Sequence, residues 1–146
     1  MAQNSSDFTR KLLLWGGPIV GAHFLVVLWH LVLVLKVQPG FPRLAIPLLI
    51  LVNLLPIAGL IAFAEGYHKL GGILIIVPLG IALVIGVYEH FLSPGTDNVF
   101  HMPPGDLRLP FQASAVVLAL LEGLGCWVGF RIFTQPTDTR RDLYAN

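Results

Sequence analysis

The sequence predicts an all-α integral membrane protein: an antiparallel bundle of four transmembrane helices with one long outward loop between helices 3 and 4. Composition is the first reason. The chain is 55% hydrophobic and 12% charged with a mean hydropathy of +0.78, whereas soluble domains carry about one charged residue in four. Arrangement is the second, because the apolar residues fall in unbroken blocks rather than as a stripe repeating every ~3.6 residues. Length is the third: there are four such blocks, each close to the ~20 residues that cross a bilayer. A net charge of +1 suggests no nucleic-acid partner, and Cys126, the single cysteine, excludes an internal disulfide framework.

Residues 1–11 read as a polar N-terminal tail, with Ser5, Ser6 and Asp7 available to cap a helix and Arg10 and Lys11 at the membrane edge. The first span, 12–35, runs for 24 residues without a formal charge, too long for the ~7–15 apolar residues of a cleaved signal peptide. Pro39, Gly40 and Pro42 end it. The second span, 44–64, contains Pro56, which removes a backbone donor and frees the Val52 carbonyl, with Asn53 one turn away to satisfy it. Only Glu65 to Lys69 separates it from the third span, 70–92, so these two form a tight hairpin. The fourth span, 109–131, is interrupted by Glu122, and residues 132–146 form a polar C-terminal tail.

Lysine and arginine set the expected orientation. The face holding both tails and the Glu65–Lys69 turn collects six of them and the opposite face three, which places both termini in the cytoplasm of a bacterial-type inner membrane. The loop 93–108 then faces outward, and it exceeds the ~2–8 residues usual between bundle helices, which marks it as a docking surface for a protein partner. Pro39-Gly40 and Pro104-Gly105 open two similar stretches, each reading Pro-Gly-x-x-Arg-Leu, which suggests a repeated hairpin. Gly17 with Gly21, and Gly125 with Gly129, have the four-residue spacing that lets membrane helices approach closely. Such faces serve packing inside one bundle or a homo-oligomer.

Polar groups at membrane depth carry the functional information, since each is costly unless turned toward protein or water. At ~1.5 Å per residue, His23, Asn53 and Glu122 fall near mid-bilayer and are expected to pair across three helices. His30, Glu89 and His90 fall near the outward surface, with Asp97 and His101 above them in the loop. His30, Glu89, His90 and His101 are the candidate metal ligands, because imidazole and carboxylate suit a transition metal. A haem held by His30 and His90 is a variant of that idea. Glu65 and His68 have the Glu-x-x-His spacing of di-iron bundles but no second copy. No nucleophile elbow, phosphate loop or zinc-protease helix is present.

These observations leave three readings. The first is a non-catalytic membrane component, a subunit or a bundle holding a lipophilic ligand, with the outward loop docking a partner. The second is a metal or haem redox protein acting on a quinone or lipid through the outward histidines and glutamate. The third is a small proton-coupled transporter using Glu122.

Overall fold

A computed structural model describes residues 2–37, 45–95, 98–102 and 104–135. The described chain is helical, with four helices long and apolar enough to cross a membrane. They are α1 (Ala2–Val37), α2 (Ala45–Ala64), α3 (His68–Val87) and α4 (Arg108–Phe133). Helix α3 continues into a π-helical turn, Tyr88–Leu92. The bundle is antiparallel: Leu12 packs near Phe63, Ile75 and Ile132 at the end holding the α2–α3 turn, and Leu33 and Val34 pack near Phe111 at the loop end. Residues expected to form a polar tail instead start α1, whose 36 residues extend about 54 Å. Thr9–Val37 is its apolar part.

The surface is inverted relative to a soluble bundle. Trp15, Leu25, Val84, Leu109 and Leu120 are exposed, while His23, His30, Asn53, Ser114 and Glu122 are buried. Bilayer therefore covers the aliphatic exterior, and the polar groups are turned inside. Around the ring α3 packs closely on both α2 and α4, and α1 packs on α4 and more loosely on α2.

At the turn end small residues let backbones touch. A Cβ on Gly59 would lie 2.8 Å from the Gly71 carbonyl oxygen, and one on Gly71 would lie 2.7 Å from that of Gly59. A Cβ on Gly72 would lie 2.7 Å from backbone atoms of Phe133. Gly125 abuts Leu79, and a Cβ on Gly129 would come 2.8 Å from Ile76, so that glycine pair packs within the bundle. Gly17 and Gly21 behave differently: neither has a neighbour within 4 Å of a built Cβ. Leu12, Phe63, Ile75, Leu79, Val128 and Ile132 fill this half as a dry core.

Helix α2 ends where Gly66 takes a φ of 89°. The Tyr67 amide donates to Ala62 O at 2.8 Å and the Gly66 amide to Phe63 O at 2.9 Å, the pair of bonds that closes a helix through a left-handed residue. Glu65 and His68 thus lie on either side of a turn and do not share one helical face, contrary to the di-iron spacing.

The expected role of Asn53 is also corrected. Its Nδ2 donates to Leu49 O at 2.7 Å, within its own helix, and not to the carbonyl that Pro56 frees. A side-chain amide reaches back one turn along its own helix more readily than forward past the proline ring.

At the loop end Asn98 organises the connection between α3 and α4. Its Nδ2 donates to Ser93 O at 2.7 Å, its Oδ1 accepts from the Phe100 amide at 2.8 Å, and the Val99 amide donates to His90 O at 2.9 Å. Gln112 Nε2 donates to Val99 O at 2.6 Å from α4. Val99 and Met102 are consequently buried with Leu33, Val34, Phe111 and Ala115, and the connection is a folded cap. Asp97, Arg43, the first of the two similar Pro-Gly stretches and residues 136–146 lie outside the described residues.

Gly66→Ala should destabilise the bundle by about 1–2 kcal/mol, the cost of a left-handed conformation for a residue with a Cβ, and should lower the melting midpoint in detergent. Gly17→Ala should leave it unchanged or slightly raised, because nothing opposes its Cβ and alanine favours helix.

Candidate functional site

The loop half of the bundle encloses a cavity of about 360 Å³ to which all four helices contribute. Its lining is mostly aliphatic, with Val27 and Leu31 from α1, Val52 from α2, Ala82 from α3 and Leu118 from α4. Four polar residues interrupt it: His30, Glu89, His90 and Glu122. The helical repeat explains this convergence. His23, Val27 and His30 share one face of α1, and Ser114, Leu118 and Glu122 share one face of α4. Leu48, Ile81 and Ile85 belong both to the lining and to the exposed exterior, so the cavity opens to the bilayer beside the first half of α2.

The π-helical turn places Glu89 and His90. The Ser93 amide donates to Tyr88 O at 2.7 Å, five residues back, and Pro94 follows, which favours the extended conformation seen at Ser93, φ −67° and ψ 139°. Glu89 and His90 both leave this turn toward the cavity and line it.

His30 is fixed by α4. The Ser114 hydroxyl donates to Phe111 O at 2.9 Å, which uses its one hydrogen. The 2.8 Å contact between His30 Nδ1 and Ser114 Oγ is therefore donated by the imidazole, and Nε2 is left as a lone-pair acceptor. That Nε2 is buried and has no partner among the described residues. The His30 ring meets His90 edge to face at 4.8 Å and Phe111 at 4.9 Å.

At the deep end of the cavity, His23 Nε2 stands 3.5 Å from Glu122 Oε1, with both side chains buried. This distance is too long for a good hydrogen bond. The other oxygen, Oε2, lies 3.8 Å from the position of a Cβ on Gly86. The missing side chain of Gly86 leaves open the space in front of the carboxyl.

Among the residues expected to pair at mid-bilayer, His23 and Glu122 meet, while Asn53 is turned to its own helix with Oδ1 buried and unpartnered. Of the candidate metal ligands, His30, Glu89 and His90 share the cavity. His101 does not join them: it is exposed on the cap, because Asn98 and Val99 anchor the preceding residues. No group of three His, Cys, Asp or Glu side chains suited to a metal ion occurs among the described residues. The edge-to-face contact of His30 with His90 leaves no gap for a macrocycle plane between the two rings. Glu89 makes no ion pair with Arg108 among the described residues. Cys126 lies in the other half, its Sγ 3.8 Å from Ile76 O.

Sequence reasoning missed Ser114, Gly86 and Asn98. Ser114 and Glu122 are eight residues apart on α4, a same-face spacing that was legible; the gap above Gly86 and the buried turn at Asn98 depend on tertiary packing. The chain matches no family model, and comparison with curated proteins and with solved structures likewise gives no match.

Ser114→Ala should orphan the His30 Nδ1–H and cost about 0.6–1.7 kcal/mol, the range for hydrogen bonds between membrane helices. Unfolding of the two proteins in the same mixed micelles measures this, and Ser114→Thr, which keeps the hydroxyl, should recover most of the loss.

Proposed function

We propose that this protein is a non-catalytic membrane component that holds a lipid-soluble molecule in the cavity of its loop half. One observation carries the reading: a cavity of about 360 Å³, aliphatic along its walls and polar at His30, Glu89, His90 and Glu122, opens sideways beside α2. Its size lies in the ~300–1,000 Å³ range of small-molecule sites. Aliphatic walls with a few convergent polar groups suit a ligand with an apolar body and a polar head. Lateral access suits a ligand arriving through the bilayer.

The dry core at the turn end supports holding over passage, since Phe63, Ile75, Leu79 and Val128 close the bundle there. Lysine and arginine placement supports a cytoplasmic location for both termini in a bacterial-type inner membrane. The cap then covers the outward side of the cavity, and exposed Phe100 and His101 are what it offers a protein partner.

Ala82→Phe narrows the cavity and leaves its polar residues unsubstituted. Wild type extracted in mild detergent should retain a near-stoichiometric lipid-soluble molecule, seen by solvent extraction and mass spectrometry. Ala82→Phe should lose it while melting at or above the wild-type temperature. Equal retention by both proteins would refute a site in this cavity.

A further inference from the structure

We infer, on the reading of the cavity as a lipophilic-ligand site, that its occupant is an amine: a primary ammonium head on an alkyl or isoprenoid chain. The inference rests on what the buried polar groups lack. Among the described residues no lysine or arginine lines the cavity, and the acidic residues that do are Glu89 and Glu122. Glu122 is more than nine-tenths buried. His23 approaches only its Oε1, leaving Oε2 facing the gap above Gly86 with no hydrogen bond among the described residues.

His30, also more than nine-tenths buried, has its one N–H committed to Ser114 and its Nε2 left as an acceptor. The unmet groups that face the cavity, Glu122 Oε2 and His30 Nε2, are thus acceptors, while His23 Nε2, also without a hydrogen bond, is turned to Glu122 Oε1. A buried polar group without a partner is costly.

Head groups differ in what they bring to such a site. A quinone carbonyl, a carboxylate or a phosphate adds acceptors to acceptors, and the last two add like charge. A hydroxyl brings one donor, and a quaternary ammonium brings charge without any donor. A primary ammonium brings three donors and a positive charge, which is the complement of Glu122 Oε2 and its acidic neighbour Glu89. The open space above Gly86 is where the head fits, and the aliphatic walls toward Leu48 and Ile81 lead its chain out to the bilayer.

The test uses the full chain in lipid nanodiscs with photoactivatable dodecylamine, dodecanol and dodecanoate of identical diazirine placement, each at the same mole fraction. Cross-links are mapped by peptide mass spectrometry. The amine should label the cavity segments of α3 and α4 about tenfold more than the alcohol or the carboxylate, which corresponds to ~1.4 kcal/mol of preference. Glu122→Gln should bring amine labelling down to the alcohol's level while leaving alcohol labelling unchanged. Where Glu122→Gln melts too low to assay, Glu89→Gln carries the same expectation. Alcohol or carboxylate labelling equal to the amine's would overturn the inference and leave the lipophilic cavity standing. Amine labelling indifferent to both glutamate variants would overturn it as well. Absence of cavity labelling by all three probes would overturn both.

Discussion

Every polar group that lies at membrane depth must find its partner inside the protein, and the bundle is arranged around that constraint. Hydrocarbon offers no hydrogen bonds, so an imidazole or carboxyl facing it would be penalised by several kcal/mol. His23, His30, Asn53, Ser114 and Glu122 are accordingly buried, while leucine, isoleucine, valine and tryptophan side chains cover the exterior. The inward set is only partly satisfied. Ser114 completes one edge of His30, and His23 approaches one oxygen of Glu122, but His30 Nε2 and Asn53 Oδ1 remain without partners.

The two halves of the bundle meet this constraint in opposite ways. At the turn end, glycines on α2, α3 and α4 bring backbones into contact, and the space between helices is filled by Phe63, Ile75, Leu79, Val128 and Ile132. At the loop end the helices leave a cavity between them, and the cap packs Val99 and Met102 against α1 and α4. A rigid clasp at one end lets the other stay open without the bundle coming apart. The polar groups sit in the open half, where a ligand can complete their hydrogen bonding.

The fold was legible because bilayer leaves a coarse signature: blocks of Leu, Ile and Val long enough to span, separated by Pro, Gly and charge. The meeting of His23 with Glu122, and of His30 with Glu89 and His90, was legible from depth alone, since rise per residue places them at matching levels. Direction around the helix axis was not. Gly17 and Gly21 have the same spacing as Gly125 and Gly129 yet face outward, because the spacing alone does not say which face meets a neighbour. His101 stands at a level suited to join His30, but the turns made by Asn98 point it away. The π-helical turn that carries Glu89 and His90 has no signal in the residues beyond the proline that follows it.

The loop half contains a cavity continuous with the bilayer. Methyl NMR of alanine-labelled protein in nanodiscs measures this on native side chains, by relaxation from dissolved oxygen, which partitions into hydrocarbon, and from a water-soluble nickel chelate. Ala82, on the cavity wall, should relax with oxygen nearly as strongly as lipid-facing Ala58 and be untouched by nickel, while buried Ala115 should be protected from both. Protection of Ala82 equal to that of Ala115 would contradict a lipid-open cavity, and strong relaxation of Ala82 by nickel would make it a water-filled one.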